Sequence, residues 1–108
     1  MEASEEIVVL VTAGSPDEAT RIAEALVTEQ LAACVNLVGP IQSIYRWQGR
    51  VQHEAELLLI IKTRRALWTA LADRVRALHS YETPEIIALP IIAGAPAYLE
   101  WLRAATRS

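Results

Sequence analysis

The feature that most constrains this chain is a pair of unusually long strand-like segments joined by a two-residue turn. Ala33–Trp47 and Arg50–Lys62 are each more than twice the length of a usual strand, which has about 5–6 residues. Gln48-Gly49 between them predicts a hairpin, because Gly49 can adopt the positive φ that such turns require. A domain of 108 residues cannot cover both strands with one layer of helices. We therefore expect the far half of the hairpin to project from the core.

The segments on either side of the hairpin alternate between strand and helix. Ile7–Val11 is a continuous apolar run typical of a buried strand. Ser15-Pro16 predicts a helix start with Ser15 as N-cap, and Glu18 completes a capping box. The other predicted elements are a first helix over Pro16–Leu31, a second helix opened by Thr63 that buries Leu67, Leu71, Val75 and Leu78, a strand over Glu85–Leu89, and a short helix over Pro96–Ala104 that buries Tyr98, Leu99, Trp101 and Leu102.

The predicted order of elements is βαββαβ followed by a short helix. With right-handed crossovers, this order places two helices on one face of a four-stranded antiparallel sheet, an α+β arrangement called the ferredoxin-like fold. Gly39-Pro40 interrupts the second strand and predicts a bend or bulge, because Pro donates no ladder hydrogen bond. The length fits one domain over residues 1–108. Since this fold hosts many functions, function has to be sought in particular side chains.

The projecting arms of the hairpin can face solvent or a second chain. Charged side chains would suit a solvent-facing edge, and they are Arg46, Arg50, Glu54 and Glu56. Apolar side chains on the same arms would suit pairing with another copy, and they are Ile41, Ile44, Tyr45 and Trp47. The hydrophobic content of 53% is high for a small monomer, so we favour pairing and assign these four residues to an oligomer interface.

Composition excludes several classes of function. A net charge of −3 is unlike the basic surface of a nucleic-acid binder. The strands Ile7–Val11 and Leu57–Ile61 carry no aromatic residue on which a base could stack. Cys34 is the only cysteine, so an intrachain disulfide, a CxxC motif and an iron–sulfur cluster are excluded. The sequence shows no nucleophile–base pair and no Gly-rich phosphate loop, so we expect a protein that is not an enzyme.

Membrane association is not expected from the sequence. The uncharged stretches Gln30–Tyr45 and Ile86–Leu99 carry Gly and Pro and fall short of the roughly 20 apolar residues of a membrane span. The N-terminal residues Met1–Glu6 are acidic and lack the basic region of a signal peptide. We therefore expect a cytoplasmic protein.

A polar loop after the second predicted helix carries the candidate ligands. His79, Tyr81 and Glu82 lie within four positions, and an imidazole beside a carboxylate is suited to a divalent ion such as copper or zinc. His79 is equally explained as a cation at a helix C-terminus. Cys34 is either a small buried hydrophobe or a metal or redox ligand. Zinc requires three or four ligands, so Glu54, Glu56 or Cys34 of another subunit would be needed to complete the site.

Five blocks of residues, in order, resemble the CutA divalent-cation-tolerance family. These blocks are Leu31–Asn36, Ser43–Gly49, Glu56 with Lys62-Thr63, His79–Ile86 and Tyr98–Leu102. The resemblance implies a small cytoplasmic homotrimer of ferredoxin-like subunits joined through the long hairpins. It also implies an association with tolerance to divalent metals, copper above all, and a likeness in architecture to the PII signalling trimers.

The resemblance also implies where a ligand would bind. The residues themselves predict that His79, Glu82 and Cys34 would hold a Cu²⁺ or other divalent cation, and of these three the resemblance matches only His79 to a copper ligand of the family. A cleft for a ligand would be lined by four further side chains, which are Lys62, Tyr81, Trp47 and Glu56. Val11 and Leu78 stand where some copper-binding members carry a cysteine and a second histidine. The alternative is a PII-like regulatory trimer whose cleft binds an anionic small molecule through Lys62 and Trp47.

Overall fold

A computed structural model of the protein describes residues 5–108, and Met1–Ser4 of the acidic N-terminus lie outside this range. The elements in chain order are β1 (Glu6–Ala13), α1 (Pro16–Thr28), β2 (Cys34–Trp47), β3 (Arg50–Arg64), a 3₁₀ turn (Arg65–Leu67), α2 (Trp68–Leu78), β4 (Ile86–Pro90) and α3 (Pro96–Ala105). All neighbouring strands pair antiparallel in one sheet of order β2-β3-β1-β4. The prediction of a mixed fold on a four-stranded antiparallel sheet is confirmed. Within the described range, no helix has the length and apolar character needed to cross a membrane.

One face of the sheet packs against α1 and α2 and forms the hydrophobic core. Every second residue of β1 is buried there, from Ile7 to Ala13, as the period of two in a strand requires. β3 contributes Leu59 and Ile61 to the same layer. The helices contribute the apolar faces expected from their spacing, namely Ala19, Ile22 and Leu26 from α1 and Leu71 and Val75 from α2. Burying each of the larger side chains stabilises the fold by about 1.5–3 kcal/mol.

The long hairpin forms as the sequence predicts. Gln48 and Gly49 have φ values of 51° and 79°, the positive values of a two-residue hairpin turn. The pairing register of β2 with β3 shifts between Val38 and Ile41, which confirms the predicted bulge. At this bulge Gly39 has φ 154°, and a Cβ on it would lie 2.7 Å from Leu57 Cδ1. Glycine is therefore required by both the backbone and the packing.

The far half of the hairpin extends beyond the rest of the sheet. β1 pairs with β3 only as far as Ala13 opposite Leu57, whereas β2 and β3 stay paired out to Trp47 opposite Arg50. We call residues Ile41–Glu56 the hairpin arm. Its two strands pair with each other, and no third strand from residues 5–108 pairs with them, so the prediction that this part projects is confirmed.

α3 lies on the sheet face opposite α1 and α2. Arg103 of α3 forms an ion pair with Glu6 of β1, with 3.3 Å between Nη1 and Oε1. Leu102 is fully buried, but Tyr98 and Trp101, which were predicted to be buried, are 43% and 47% exposed. That prediction was wrong because α3 contacts the sheet along one side only, and the two aromatic rings pack on each other at 5.5 Å instead.

Two predicted helix boundaries were also wrong. α1 ends at Thr28 rather than Leu31. Thr63 does not cap a helix, because β3 continues through it to Arg64, opposite Glu6 of β1. Its fully buried hydroxyl donates a hydrogen bond to the Leu31 carbonyl oxygen at 2.6 Å, and α2 begins after a 3₁₀ turn without a side-chain cap.

Candidate functional site

A cleft opens between the hairpin arm and the loop that connects α2 to β4. Its volume is about 730 Å³, within the range of pockets that hold small molecules. The arm supplies one wall, including Tyr45 and Trp47, and the loop supplies the other, including Tyr81. Thr12, near the end of β1, lies where the two walls meet the sheet. The cleft therefore exists because the arm extends past the end of β1 and the loop folds against it.

Carboxylates dominate the polar lining of this cleft. Glu54 and Glu56 come from β3, and Glu82 and Glu85 come from the loop. Among the described residues that line the cleft, none is a lysine, arginine or histidine. Carboxylates of one sign around a concave surface concentrate a negative potential there. We call this feature the acidic cleft, and its electrostatics favour a positively charged ligand.

Tyr81 and Glu56 form the most buried polar contact in the acidic cleft. The Tyr81 hydroxyl donates a hydrogen bond to Glu56 Oε2 at 2.9 Å, and Glu56 is only 6% exposed. Burial, together with this hydrogen bond to a carboxylate, raises the pKa of Tyr81 well above its usual value. The pKa of Tyr45 is raised by partial desolvation and by the neighbouring Glu54. Both phenols therefore stay neutral hydrogen-bond donors at physiological pH.

His79 supports the loop from behind the acidic cleft. Its Nε2 lies 2.7 Å from the carbonyl oxygen of Thr12, which can only accept, so Nε2 carries a proton and donates. Its Nδ1 lies 3.1 Å from the backbone nitrogen of Tyr81 and 3.2 Å from Glu18 Oε1. The imidazole is fully buried. It thus joins the end of β1 to the loop and fixes the backbone at Tyr81.

Glu18 is a supporting residue that the sequence analysis assigned to a different role. Ser15 Oγ accepts a hydrogen bond from the Glu18 backbone N–H at 3.2 Å, which confirms the N-cap. The Glu18 carboxylate does not complete a capping box, because it accepts hydrogen bonds from Ser80 N at 2.9 Å and from Ser80 Oγ at 2.8 Å. Partial burial opposes ionisation, but the bonds from Ser80 and the nearby His79 lower the pKa of Glu18. The sequence does contain a signal for this supporting role. Glu18 lies four residues before Ile22, and this spacing places it on the buried face of α1.

The three side chains predicted to hold a metal ion are not brought together. His79 is buried with both ring nitrogens engaged, and Glu82 is exposed at the acidic cleft. Cys34 lies in β2 opposite Lys62, with its Sγ 3.9 Å from Asn36 Oδ1. Within residues 5–108, no group of three or more His, Cys, Asp or Glu side chains is placed to hold a metal ion. Within one chain these three residues do not form a ligand set, and their assignment as metal ligands shared between chains stays a prediction.

The predicted cleft residues are divided between two places. Trp47, Tyr81 and Glu56 all line the acidic cleft. Lys62 does not, because it lies in the part of β3 that is paired within the sheet, where its Nζ donates to Asn36 Oδ1 and to the carbonyl oxygen of Ile60. Lys62 thus lies outside this cleft within one chain, and its assignment to a ligand cleft between subunits stays a prediction.

The predicted interface residues all lie on the hairpin arm. Ile44 is 59% exposed and Trp47 is 49% exposed, whereas Ile41 is half-buried. Tyr45 and Trp47 also line the acidic cleft, so the two predicted surfaces overlap. Contact of these residues with another copy of the chain stays a prediction.

The sequence matches a known protein family over almost all of the described range. The model of the CutA1 divalent ion tolerance protein family matches residues 7–105. The divalent-cation tolerance protein CutA of Thermus thermophilus is 55% identical over 98 residues, which cover 91% of this chain and 95% of that protein. The chloroplastic protein CutA 1 of Oryza sativa is 52% identical over 101 residues, or 94% of this chain and 57% of that protein. The chain thus spans little more than half the length of the plant relatives it matches.

Solved structures agree with the sequence match. The divalent cation tolerance protein from Thermus thermophilus superposes with a TM-score of 0.93 at 54% identity, covering 94% of this chain and 99% of that chain. CutA1 from Oryza sativa superposes with a TM-score of 0.94 at 50% identity, covering 98% and 97% of the two chains. The chain belongs to the CutA1 divalent ion tolerance family.

Proposed function

We propose that the protein is a homotrimeric, non-catalytic binding protein that takes up divalent cations, Cu²⁺ foremost, in the acidic cleft. The observation that carries this proposal is the lining of the cleft by four carboxylates with no basic side chain among the described lining residues. The name of the Thermus thermophilus relative as a divalent-cation tolerance protein supports the same class of ligand.

The proposed trimer is of ferredoxin-like subunits joined through their hairpin arms. The strand order β2-β3-β1-β4 with α1 and α2 on one face supports the ferredoxin-like topology. The arm exposes Ile44, Trp47 and Val51, each by about half or more. Ile87 and Leu89 of the edge strand β4 are each about half exposed as well. Apolar surface of this extent on a small chain supports burial against other copies.

A divalent ion in the acidic cleft would keep part of its water shell. The described residues of one chain form no group of three ligands, so direct coordination by one or two carboxylates with water in the remaining positions is the arrangement we propose. Glu82, which is exposed at the cleft, is the first candidate ligand, and Glu56 is held in place by Tyr81. Such a site would bind and release ions readily, which suits a tolerance or buffering role.

The alternative of a PII-like trimer that binds an anionic small molecule has less support. That proposal assigned the recognition of negative charge to Lys62, which lies outside the acidic cleft. An anion in the cleft would face four carboxylates without a basic side chain among the described lining residues. We expect a thermal-shift panel of nucleotides and organic acids to leave the melting temperature unchanged.

Calorimetric titration with Cu²⁺ tests the cation proposal. We expect Glu82→Gln to weaken binding by about threefold to tenfold, because one charged ligand is lost. Glu24→Gln, an exposed position of α1 outside the cleft, is the matched control and is expected to leave affinity unchanged. Because His79 also supports the loop, only an undiminished Cu²⁺ affinity in His79→Ala is decisive, and it would exclude the imidazole as the ligand. An undiminished affinity in Glu82→Gln would contradict the assignment of Glu82.

The assembly and the compartment are tested separately. Sedimentation equilibrium should give a mass three times the 11.9 kDa of one chain, and a stable monomer would contradict the trimer. We propose the cytoplasm as the compartment, although relatives described as chloroplastic and periplasmic have similar sequences. Cell fractionation followed by detection of the protein tests this point.

A further inference from the structure

The hairpin arm begins at a point where two features of the sheet end together. Ala13 opposite Leu57 is the last pair between β1 and β3. The register of β2 with β3 shifts just before Ile41, which lies opposite Glu56 in the first pair of the arm. A bulge bends the strand that carries it and increases the local twist. The direction of the arm is therefore set at Glu56 and its neighbours.

Tyr81 contacts the arm at this same point. Its hydroxyl donates a hydrogen bond to Glu56 Oε2 at 2.9 Å, and Glu56 is buried. A hydrogen bond to an ionised acceptor is roughly twice as strong as one between neutral groups. This bond joins the loop after α2 to β3, one residue beyond the last pair of β3 with β1. The Tyr81 hydroxyl therefore restrains the first pair of the arm from outside the hairpin.

The rest of the subunit fixes the position of Tyr81. Its backbone nitrogen lies 3.1 Å from His79 Nδ1, and the rings of the two residues lie 4.6 Å apart. The imidazole is bonded in turn to the carbonyl oxygen of Thr12, and Glu18 accepts a hydrogen bond from the backbone nitrogen of Ser80. Because these contacts tie the loop to β1 and α1, the Tyr81 hydroxyl positions the arm relative to both elements.

Gly14, which follows β1, provides the space for this hydroxyl. A Cβ on Gly14 would lie 3.0 Å from the hydroxyl oxygen of Tyr81, so one of the two atoms would have to move. The nearest carbons of the ring would lie at 3.7 Å, which is an ordinary contact distance. A side chain at position 14 would therefore disturb the hydroxyl and its bond to Glu56, but not the ring.

We propose that Tyr81 is a positioning residue that fixes the direction of the hairpin arm and so prepares the arm for contact with other copies of the chain. Without the bond to Glu56, the arm samples several directions about the bulge. Only a fraction of the subunits then holds the arm as association requires, and the apparent affinity between subunits falls with that fraction. The consequence for association rests on the proposed trimer, whereas the restraint on the arm does not.

Distances between two spin labels on one chain test the restraint. In a Cys34→Ser background, one label is attached at Arg50→Cys near the tip of the arm and the other at Glu24→Cys on the exposed side of α1. Labelled chains are diluted with unlabelled chains, so distances within one chain dominate. We expect Tyr81→Phe to shift or broaden the distance distribution, and Tyr98→Phe, which removes a hydroxyl from α3, to leave it unchanged. An unchanged distribution in Tyr81→Phe would overturn the proposal, because a loss of stability alone does not move this distance.

Sedimentation across a urea series tests the consequence for assembly. Circular dichroism of the same samples reports folding, so dissociation is followed separately from unfolding. We expect Tyr81→Phe to dissociate at lower urea than wild type, with subunit association weakened by about tenfold or more. Equal midpoints for Tyr81→Phe and Tyr98→Phe would contradict the role in assembly. A monomeric wild type would contradict the proposed trimer, and the label distances would still decide the restraint.

Gly14→Ala perturbs the same bond without altering Tyr81. We expect it to change the label distances less than Tyr81→Phe does, because the hydroxyl has to move by only a few tenths of an ångström. In the Tyr81→Phe background, Gly14→Ala should add no further change, since the ring carbons remain at an ordinary contact distance. An equal change in both backgrounds would show that the hydroxyl is not what Gly14 accommodates, and would contradict this part of the proposal.

Discussion

Replacing Glu18 by Ala tests whether the loop behind the acidic cleft depends on a contact between distant parts of the chain. The carboxylate accepts hydrogen bonds from Ser80 N at 2.9 Å and Ser80 Oγ at 2.8 Å, and it lies 3.2 Å from His79 Nδ1. A hydrogen bond to a charged group contributes about 1.5–3 kcal/mol, and water can replace part of it at the exposed Ser80. We therefore expect Glu18→Ala to lower the free energy of unfolding by about 2–3 kcal/mol.

Urea denaturation at pH 7 measures this change, with all variants at one protein concentration because assembly affects apparent stability. Glu24→Ala is the control, since Glu24 lies on the same helix and is exposed. It should change the free energy of unfolding by less than about 0.5 kcal/mol. A loss in Glu18→Ala no larger than that in Glu24→Ala would show that the contacts of Glu18 do not stabilise the loop.

Three further predictions concern pH, a buried hydroxyl and the bulge. Folding lowers the pKa of Glu18 below its usual 4.5, so the stability that its carboxylate contributes is present above that pH and is lost as the pH falls below it. The free energy of unfolding should therefore fall less on acidification in Glu18→Gln than in wild type. Thr63→Val leaves the Leu31 carbonyl oxygen without its donor, so urea denaturation should show a loss of about 1–3 kcal/mol, and an unchanged midpoint would contradict the bond. Gly39→Ala brings a Cβ within 2.7 Å of Leu57 at a positive φ and should lower the thermal midpoint, whereas Gly49→Ala, which meets no atom within 4 Å, should cost less.

Local signals in the sequence predict most of the fold. The hairpin follows from strand length and from Gln48-Gly49, and the start of α1 follows from Ser15, because each of these depends on neighbouring residues. Thr63 was assigned wrongly because its environment is set by pairing with β1 and by Leu31, which lies 32 residues earlier. No local pattern reports such a contact.

The candidate site was less predictable for the same reason. Tyr81 and Glu56 were assigned to one cleft through family resemblance, and the structure places them 2.9 Å apart across 25 positions of sequence. The contact of Glu18 with Ser80 spans 62 positions, and that of His79 with the Thr12 carbonyl oxygen spans 67. Histidine beside a polar loop is compatible with a metal ligand or a buried support, and only its burial distinguishes the two.

The absence of a third strand along the described hairpin arm has a consequence for the proposed trimer. One wall of the acidic cleft is anchored to α1 and β1 through Glu18 and His79. The other wall belongs to an arm that, among the described residues, is held by its own turn and ladder and by the hydrogen bond from Tyr81 to Glu56 at its base. A contact that fixes the position of the arm therefore also fixes the width of the cleft. In a trimer joined through these arms, subunit association and ligand binding would be thermodynamically linked, and each would strengthen or weaken the other by the same factor.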